Sequence, residues 1–314
     1  MRIACILDPL PLLKAYKDSS VAMLREAARR GHTVYAIMRD DLAAVRGTIR
    51  ARAVRLDLFD DNHAWYAERE SADFRLAEFD AVLMRQDPPF DFEYITATWL
   101  LERAVAEGAR IFNDPRALRD HSEKVSILEF PDLIPPTLVA RAADVLNAFI
   151  DEHRDCVVKP LDGMGGARIF RVRDDDPNRN VIIETLTGGG VATIMAQRFV
   201  PEIAAGDKRI SIIDGEPIPY SLARIPKAGE TRGNLAAGGR GVAQLLSARD
   251  REIAAALGPV LAQRGLLLVG IDVIGDYLTE INVTSPTCFV EIAEQTGFDV
   301  AARFIDALEA RLAS

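Results

Sequence analysis

Three side chains near the C-terminus could bind a hard metal ion together: Asp272, Glu280 and Asn282. Carboxylate and amide oxygens are the ligands that Mg²⁺ prefers in proteins. The surrounding stretch, Val269–Val283, reads as two strands rich in β-branched residues that form a hairpin. Two carboxylates on neighbouring strands repel each other, and a divalent cation would remove that repulsion. The alternative is an ordinary exposed hairpin that carries two acids and an amide.

The length of the hairpin loop decides whether these side chains share a face. A two-residue loop at 275–276 would place Ile271 opposite Glu280 and leave Asp272 on the other face. A three-residue loop that includes Tyr277 would place Asp272 directly opposite Glu280. The second register separates the polar face from the apolar face. We therefore predict this register, reached by a three-residue or bulged loop.

A glycine-rich loop follows a lysine at the end of another predicted strand. Lys159 ends the strand, and the loop after it contains Gly163, Gly165 and Gly166. Glycines let backbone N–H groups approach a phosphate closely, and the lysine adds a positive charge. The spacing is not that of a Walker loop, and a tight turn after an edge strand is the alternative. The lysine and the acids downstream favour phosphate binding, for which Lys124 would supply a second cation.

Two predicted strands carry arginines on a polar face. Arg209 shares its face with Ser211, and Arg224 shares its face with Tyr220. Arginine within a strand is unfavourable unless its side chain meets a cleft or an anion. The alternative is two exposed arginines that pair with surface acids. A third strand, Met195–Pro201, could offer its free backbone edge to a purine ring, and an ordinary edge strand would show the same pattern.

The longest irregular segment of the chain, 226–241, combines five glycines with three cations. Long segments without regular structure in compact domains are functional lids or disordered linkers. A mobile, positively charged segment suits a lid that closes over phosphates. We therefore predict a lid loop here, with a solvated linker as the alternative.

The first third of the chain alternates apolar strand patterns with helical patterns. The predicted elements are strand Arg2–Asp8, helix Ser20–Arg30, strand His32–Ile37, strand Ala81–Met84 and helix Glu93–Glu107. This alternation predicts an α/β layer with a buried parallel sheet. Asp8-Pro-Leu-Pro follows the first strand in place of the GxGxxG fingerprint, which argues against a nicotinamide-dependent dehydrogenase.

We place the main domain boundary near residue 122. Two short helices are predicted around Pro115–Arg119 and Ser122–Glu129, and from residue 157 onward the chain changes to strands with Gly-rich turns. The predicted domains are therefore 1–122 and 123–314. A softer boundary near 195 divides the second domain into lobes 123–195 and 196–314.

Composition and charge exclude several classes of protein. The chain has 314 residues, 49% of them hydrophobic, which suits a globular protein of two or three packed units. A net charge of −9 argues against a nucleic-acid-binding surface. The three cysteines lie far apart and the four histidines lack zinc spacing, so we expect reduced thiols and no zinc site. No apolar run reaches transmembrane length, and we therefore expect a cytoplasmic protein without a membrane partner.

With these motifs assembled, the chain resembles the ATP-grasp superfamily, and within it the bacterial glutathione synthetases. The resemblance covers nearly the whole chain and rests above all on two specific runs, ETRGNLAAGGRG at 230–241 and TEINVTSPT at 279–287. It implies an α/β protein in which an N-terminal parallel-sheet α/β (pre-ATP-grasp) domain precedes a two-lobed ATP-grasp domain, with ATP between the lobes. Three sites depart from the family pattern: Gln86 replaces a usual lysine, Arg168 replaces a small residue, and Phe289-Val290 replaces the Ile-Arg that some members carry.

The resemblance also implies roles for individual residues. The implied nucleotide-binding residues are Lys124, Lys159, Gly163, Gly165, Gly166, Gln197, Phe199, Val200 and Asp207. In this set Gln197 and the backbone of 199–200 would hold adenine, and Asp207 would hold the ribose. Asp272, Glu280 and Asn282 match the family's magnesium ligands. The implied catalytic residues are Arg209, Arg224 and Arg232, and the implied substrate-binding residues are Ser285 and Thr287.

The activity that the resemblance implies is ATP-dependent ligation of γ-glutamylcysteine to glycine through an acyl phosphate, with release of ADP and phosphate. ATP would be the co-substrate and Mg²⁺ the metal, with Mn²⁺ as a substitute. A homo-oligomer is also implied. The alternatives are another ATP-grasp carboxylate–amine ligase, or a non-catalytic nucleotide-binding protein with the same fold.

Overall fold

Six strands form the first β-sheet of the computed structural model, which describes residues 1–235 and 238–313. The strands are β1 (Arg2–Leu7), β2 (Thr33–Val45), β3 (Thr48–Leu58), β4 (Tyr66–Arg75), β5 (Ala81–Met84) and β6 (Ile111–Phe112). They lie in the order β4-β3-β2-β1-β5-β6. β1 is parallel to β2 and to β5, so the predicted parallel sheet is confirmed for these three strands. The short strand β6, which was not predicted, extends it in parallel beside β5.

The other half of this sheet is antiparallel, which the sequence did not lead us to predict. β2 continues past its predicted end at Ile37 as far as Val45, and β3 and β4 then follow as antiparallel neighbours. The pairing of β2 with β3 shifts register between Ile37 and Leu42. The polar residues 39–41 fall at this shift, so the apolar pattern ends before the strand does.

Helices α1 (Ser19–Arg29) and α2 (Phe92–Ala106) of the first domain agree with the predicted helices. Each begins at an acidic cap, because the side chains of Asp18 and Asp91 accept hydrogen bonds from the backbone N–H three residues later, at 2.9 and 2.8 Å. A third helix, α3 (Pro115–Asp120), confirms the first of the two predicted short helices. The second is a 3₁₀ helix at Val125–Glu129.

The second sheet is antiparallel and has four strands. These are β7 (Thr137–Ala140), β8 (Asp155–Pro160), β9 (Phe170–Arg173) and β10 (Ile194–Arg198), in the order β7-β10-β8-β9. Helices α4 (Ala143–His153) and α5 (Arg179–Thr187) cover it, and Leu146, Val158 and Ile183 lie in the shared core. The predicted lobe division near residue 195 falls inside β10, which pairs along its whole length with β8. The chain passes to the next sheet only after Arg198.

The third sheet has five antiparallel strands. These are β11 (Asp207–Ile213), β12 (Glu216–Ile225), β13 (Arg240–Leu245), β14 (Leu268–Ile274) and β15 (Tyr277–Asn282), in the order β13-β12-β11-β14-β15. The helices that accompany it are α6 (Ala248–Gln263), α7 (Phe289–Thr296) and α8 (Val300–Ala313). β13 begins at Arg240, so the predicted lid loop is shorter than expected at its C-terminal end, and its residues 236 and 237 lie outside the described residues.

The first and third sheets share a hydrophobic core, in which Ile3 and Leu24 of the first domain pack with Phe289 and Phe304. Arg85, directly after β5, donates a hydrogen bond from Nη2 to the carbonyl of Pro286 at 2.9 Å. The carboxyl end of the parallel sheet therefore lies beside the segment that follows β15. None of the helices in the described chain is long and apolar enough to cross a membrane.

Candidate active site

The β14–β15 hairpin has the predicted register. Asp272 pairs with Glu280, and Gly270 pairs with Asn282. After the Asp272–Glu280 pair the register shifts, so that Val273 pairs with Leu278 and a two-residue turn closes the hairpin. The bulge supplies the extra residue that a longer loop would otherwise have supplied. The prediction that the two acids face each other across the strands is confirmed.

Both oxygens of the buried Asp272 carboxylate are bound by arginines. Arg209 donates from Nε to Oδ1 at 2.5 Å and from Nη2 to Oδ2 at 3.1 Å. Arg224 Nη2 lies 2.9 Å from the same Oδ2. Burial alone would raise the pKa of Asp272, but the two guanidinium charges outweigh it and lower this pKa well below its usual range. The arginines thus face the hairpin from β11 and β12, and not a solvent-exposed surface.

Arg224 also links Asp272 to Asp207. Its Nη2 donates to Asp207 Oδ2 at 2.5 Å, and its Nε donates to the Asp207 carbonyl at 3.2 Å. Burial raises the pKa of Asp207 to about 6, although the charge of Arg224 acts in the opposite direction. The other carboxylate oxygen, Oδ1, is buried without a hydrogen-bond partner. Asp207 therefore retains an acceptor for a ligand hydroxyl.

Glu280 faces two lysines. Lys159 Nζ lies 3.4 Å from Glu280 Oε1, and Lys124 Nζ lies 3.7 Å from the same oxygen. Lys124 also donates to the carbonyl of Gly163 at 2.7 Å, which ties it to the glycine-rich loop. Burial lowers the pKa of Lys159, and Glu280 opposes that shift. The pKa of Glu280 is lowered, since the charges of the two lysines outweigh the effect of its own burial.

The glycine-rich loop and the lid segment meet over these charges. Gly166 has a φ of +80°, and a Cβ added there would lie 2.5 Å from Asn234 Oδ1. Only glycine fits such a close approach without displacing its neighbour. Arg232 donates from Nε and Nη2 to Glu230 Oε2 at 3.1 and 3.0 Å, so this predicted catalytic side chain pairs within its own segment.

One cleft lies between the second and third sheets and collects the predicted nucleotide-binding residues. Its lining includes Lys124, Lys159, Gly163, Gly165, Gly166, Gln197, Phe199, Val200 and Asp207. Ile169, Ile203 and Ile274 add apolar surface of the kind that holds a flat ring. Gln197 Nε2 donates to Thr137 Oγ1 at 3.0 Å, and Arg171 stacks 3.7 Å from the centre of the Phe199 ring.

The linker after β10 has few free backbone groups. The N–H groups of Arg198 and Phe199 donate to the carbonyls of Pro136 and Asp155 at 2.9 and 2.8 Å. The Val200 carbonyl accepts a hydrogen bond from Ile203 N–H at 3.1 Å. Of the backbone groups of 199–200 expected to hold adenine, the Phe199 carbonyl and the Val200 N–H therefore have no backbone partner among the described residues.

A second cleft lies between the first and third sheets. Ser285 and Thr287 line it, as do Arg209, Arg224 and Asn282. Ser285 donates a hydrogen bond from Oγ to Asp87 Oδ1, and Thr287 Oγ1 lies 3.7 Å from Cys288 Sγ. The two predicted substrate residues therefore lie together in a cleft that also borders the arginines.

Residues of the second cleft that the sequence reasoning did not identify come mostly from the first domain. The charged ones are Asp8, Lys14, Lys17, Asp18, Asp87, Glu123 and Glu291. The predicted order of parallel strands could have identified these residues. Ligands of open α/β sheets bind outside the carboxyl ends of parallel strands, and Lys14 and Asp87 follow β1 and β5.

The residues at the hairpin have donor atoms that suit a hard divalent cation. Asn282 uses Nδ2 to donate to the Gly270 carbonyl at 3.1 Å, which leaves Oδ1 as an acceptor. Asp272 Oδ1 accepts one hydrogen bond and keeps a lone pair. Within residues 1–235 and 238–313, no group of three or more His, Cys, Asp or Glu side chains is arranged to hold a metal. A metal here would therefore depend on the amide of Asn282 as well as the two carboxylates.

Comparisons with known proteins agree with this arrangement. Residues 123–297 match the family model for the prokaryotic glutathione synthetase ATP-grasp domain, and residues 1–119 match the model for its N-terminal domain. A curated glutathione synthetase of Bordetella parapertussis is 59% identical over 314 residues, which span 98% of this chain and 99% of that protein. The one from Ralstonia nicotianae is 58% identical over 309 residues, which span 98% of this chain and 95% of the relative.

Solved structures with the same fold are more distant in sequence. The D-cycloserine synthetase DcsG superposes with a TM-score of 0.69 at 18% identity, over 99% of this chain and 100% of that one. The ATP-grasp ligase PsnB, solved with a minimal precursor, Mg and ADP, gives a TM-score of 0.64 at 18% identity, over 99% and 98% of the two chains. The fold is that of the ATP-grasp ligases, and the chain belongs to the prokaryotic glutathione synthetase family.

Proposed function

We propose that this chain joins γ-glutamylcysteine to glycine at the expense of ATP. The observation that carries the proposal is that the two clefts meet: both are lined by Gly163, Gly165, Asn234 and Glu280. A nucleotide in the first cleft would present its terminal phosphate at the point where a substrate in the second cleft presents its carboxylate. The curated relatives named glutathione synthetase support this choice of substrates.

The chemistry needs positioning and charge stabilisation more than a protein nucleophile. The dipeptide carboxylate attacks the γ-phosphorus and ADP leaves, which gives an acyl phosphate. The glycine amine then attacks the acyl carbon, loses a proton and releases phosphate as the peptide bond forms. Arg209 and Arg224 border the second cleft and would stabilise negative charge on the transferring phosphoryl group and on the tetrahedral oxygen.

In the nucleotide cleft, Lys124 and Lys159 would bind phosphates, together with the N–H groups of the glycine-rich loop. Gln197, Phe199 and Val200 would hold adenine, and the unpartnered Oδ1 of Asp207 would accept a hydrogen bond from the ribose. Arg232 would act from the lid. In the second cleft, Ser285 and Thr287 would bind substrate.

Asp272, Glu280 and Asn282 would hold Mg²⁺, for which Mn²⁺ could substitute. When bound, the cation would neutralise phosphate charge during transfer. The support is the donor set, two carboxylates and an amide oxygen on neighbouring strands.

We place the protein in the cytoplasm as a homo-oligomer. The three cysteines, Cys5, Cys156 and Cys288, are free and buried, which suits a reducing compartment. The oligomer is supported only by the resemblance to the family. Light scattering on the purified protein would measure the assembly.

A phosphate-release assay tests the activity. With ATP and Mg²⁺, we expect rapid release only when γ-glutamylcysteine and glycine are both present, and one peptide bond per phosphate. A panel of other carboxylates and amines is the control. Faster turnover with a different pair would identify another carboxylate–amine ligase, and the absence of turnover with every pair would refute a catalytic role.

A further inference from the structure

Glu123 lies beside the two clefts, and the chemistry described above gives it no role. It immediately precedes Lys124, and it lines the second cleft together with Glu280. Its carboxylate oxygen Oε1 accepts three hydrogen bonds, from Val283 N–H at 3.0 Å, from Thr284 N–H at 3.1 Å and from Thr284 Oγ1 at 2.8 Å. A single carboxylate oxygen thus binds two consecutive peptide N–H groups.

The segment that Glu123 binds connects two groups of candidate site residues. β15 ends at Asn282, and Ser285 follows the bound dipeptide 283–284. This dipeptide lies beyond the paired part of the strand, so ladder hydrogen bonds to β14 do not hold it. The backbone of Glu123 takes part as well, because its carbonyl accepts a hydrogen bond from Ile281 N–H at 2.9 Å. β15 is the edge strand of the third sheet. The carbonyl and the carboxylate of Glu123 therefore accept hydrogen bonds that a further neighbouring strand would otherwise accept.

Asn113 holds the same dipeptide from its other edge. Its Nδ2 donates to the Val283 carbonyl at 2.9 Å and to the Leu268 carbonyl at 2.7 Å, and both contacts are buried. Asn113 therefore fixes the carbonyl side of the segment to the start of β14. The two N–H groups of the dipeptide depend on Glu123 alone among the described residues, so its loss would leave them without partners.

We infer that Glu123 is a positioning residue of the reaction centre: its carboxylate fixes the 283–284 backbone and so orients Asn282 toward the metal and Ser285 toward the substrate. Three hydrogen bonds converge on this one oxygen, so a rotation of the 283–284 backbone would break all of them together. The roles of Asn282 and Ser285 rest on the proposed function, whereas the contacts of Glu123 do not.

The test compares Glu123→Ala with Glu123→Gln. Alanine removes the acceptor, whereas glutamine keeps an oxygen of similar reach and loses only the charge. Glu129→Gln is the matched control, since this carboxylate ends the 3₁₀ helix that follows Glu123 but pairs with Arg264 at 2.6 Å, away from both clefts. The first readout is amide hydrogen exchange at Val283 and Thr284 in the protein free of metal and nucleotide. The second is the Mg²⁺ concentration for half-maximal ligation, with the KM for γ-glutamylcysteine.

For Glu123→Ala we expect exchange at the two amides to rise about tenfold or more, because they lose their acceptor. The Mg²⁺ requirement and the KM for the dipeptide should rise by a similar factor of about ten, while Glu129→Gln stays near wild type in every measurement. Glu123→Gln should recover both readouts to within about threefold of wild type. Unchanged exchange and Mg²⁺ requirement in Glu123→Ala would overturn the inference, as would Glu123→Gln failing as badly as alanine.

A milder variant covers the case in which Glu123→Ala does not fold. Thr284→Val removes only the hydroxyl donor and keeps the N–H, so exchange at the amide of residue 284 should rise by about threefold. No change in this exchange or in the Mg²⁺ requirement would count against the inference. The measurement of amide exchange does not depend on catalytic activity. A wild-type protein that failed to ligate would refute the proposed function, while amide exchange would still decide whether Glu123 fixes this backbone.

Discussion

At the candidate active site, each buried carboxylate lies beside positively charged side chains. Asp272 lies between Arg209 and Arg224, and Glu280 lies near Lys124 and Lys159. Each of these groups is buried or nearly so, and a buried charge without a partner is strongly unfavourable. Removing one member therefore affects both folding and chemistry, and neutral substitutions that keep the size of the side chain are the more informative ones.

Glu280→Gln should keep the fold and reduce turnover. The change removes one negative charge from the candidate metal site and leaves Lys124 and Lys159 without their carboxylate. We expect kcat for ligation to fall about 10²-fold or more. Steady-state kinetics at several Mg²⁺ concentrations measures this, with the exposed Glu252→Gln as control. Near wild-type ligation in limiting Mg²⁺ would show that Glu280 is not a ligand.

Asp207→Asn should alter how stability depends on pH. The folded-state pKa of Asp207 is raised to about 6 from an ordinary 3.8, so the folded protein binds this proton more tightly than the unfolded chain does. The contribution of Asp207 to the free energy of unfolding is therefore present at low pH and is lost as the pH rises from about 4 to about 6, by roughly 3 kcal/mol in total.

The asparagine variant lacks this titration. Its stability relative to wild type should thus improve across the same pH window, which urea unfolding at closely spaced pH values can follow. If the free energies of unfolding of the two proteins differed by a constant amount from about pH 4 to about pH 7, the raised pKa of Asp207 would be contradicted.

At the scale of elements, the hairpin and the lid segment are positioned by different means. The hairpin reaches its register through a bulge, and hydrogen bonds between β14 and β11 hold it in the sheet. The lid segment, by contrast, connects the end of β12 to the start of β13 and contacts the glycine-rich loop through Asn234 and Arg232. Few of its described residues are apolar, so its closure should depend on charge.

Shortening the 228–239 segment to a few glycines should uncouple the reaction. Without the lid, water would reach the acyl phosphate, so ATP hydrolysed per peptide bond should rise above one while ligation falls by about tenfold or more. Phosphate and peptide are measured in the same reaction. Deleting one glycine from the exposed turn 188–190, which lines neither cleft, is the control. Unchanged coupling in the shortened chain would make the segment a plain connector.

The lid prediction also has a readout that is independent of turnover. Amide exchange in 227–235 should be fast in the free protein and should slow with nucleotide and both substrates bound, since phosphate oxygens would then pair with Lys227 and Arg232. Protection that is already complete in the free protein would contradict a mobile lid.

At the scale of the whole molecule, the second cleft exists only because the first domain packs against the third sheet. Ser285 and Asp87 are joined by a hydrogen bond across this contact, and Arg85 reaches Pro286. The second cleft thus combines residues almost two hundred positions apart in the sequence.

Asp87→Asn should therefore weaken substrate binding without affecting the nucleotide. It weakens the acceptor for Ser285, and we expect the KM for γ-glutamylcysteine to rise about fivefold or more while the Kd for ATP stays within about twofold. Isothermal titration and initial rates separate the two effects, and Asp73→Asn on the exposed strand β4 is the control. If binding of ATP and binding of the dipeptide were weakened by the same factor, the variant would have lost structure generally.

Local patterns in the sequence determined much of this protein. The β-branched runs and the segregation of polar from apolar positions led to the Asp272–Glu280 register, and the alternation of strands and helices led to the parallel half of the first sheet. These features follow from side-chain periods of two and 3.6 residues, which are readable within a single segment. The antiparallel extension of the sheet by β2, β3 and β4 was not predicted, because polar residues interrupt the alternation of apolar and polar side chains there.

The tertiary structure alone decided which charged groups meet. No local pattern joins Arg209 to Asp272, Asp87 to Ser285 or Glu123 to Thr284, since the partners lie on different strands and domains. Such contacts arise when separate hydrophobic surfaces pack and bring distant polar groups into one buried region, where each must find a partner. The sequence thus supplied the chemical groups, and the packing of three sheets supplied their neighbours.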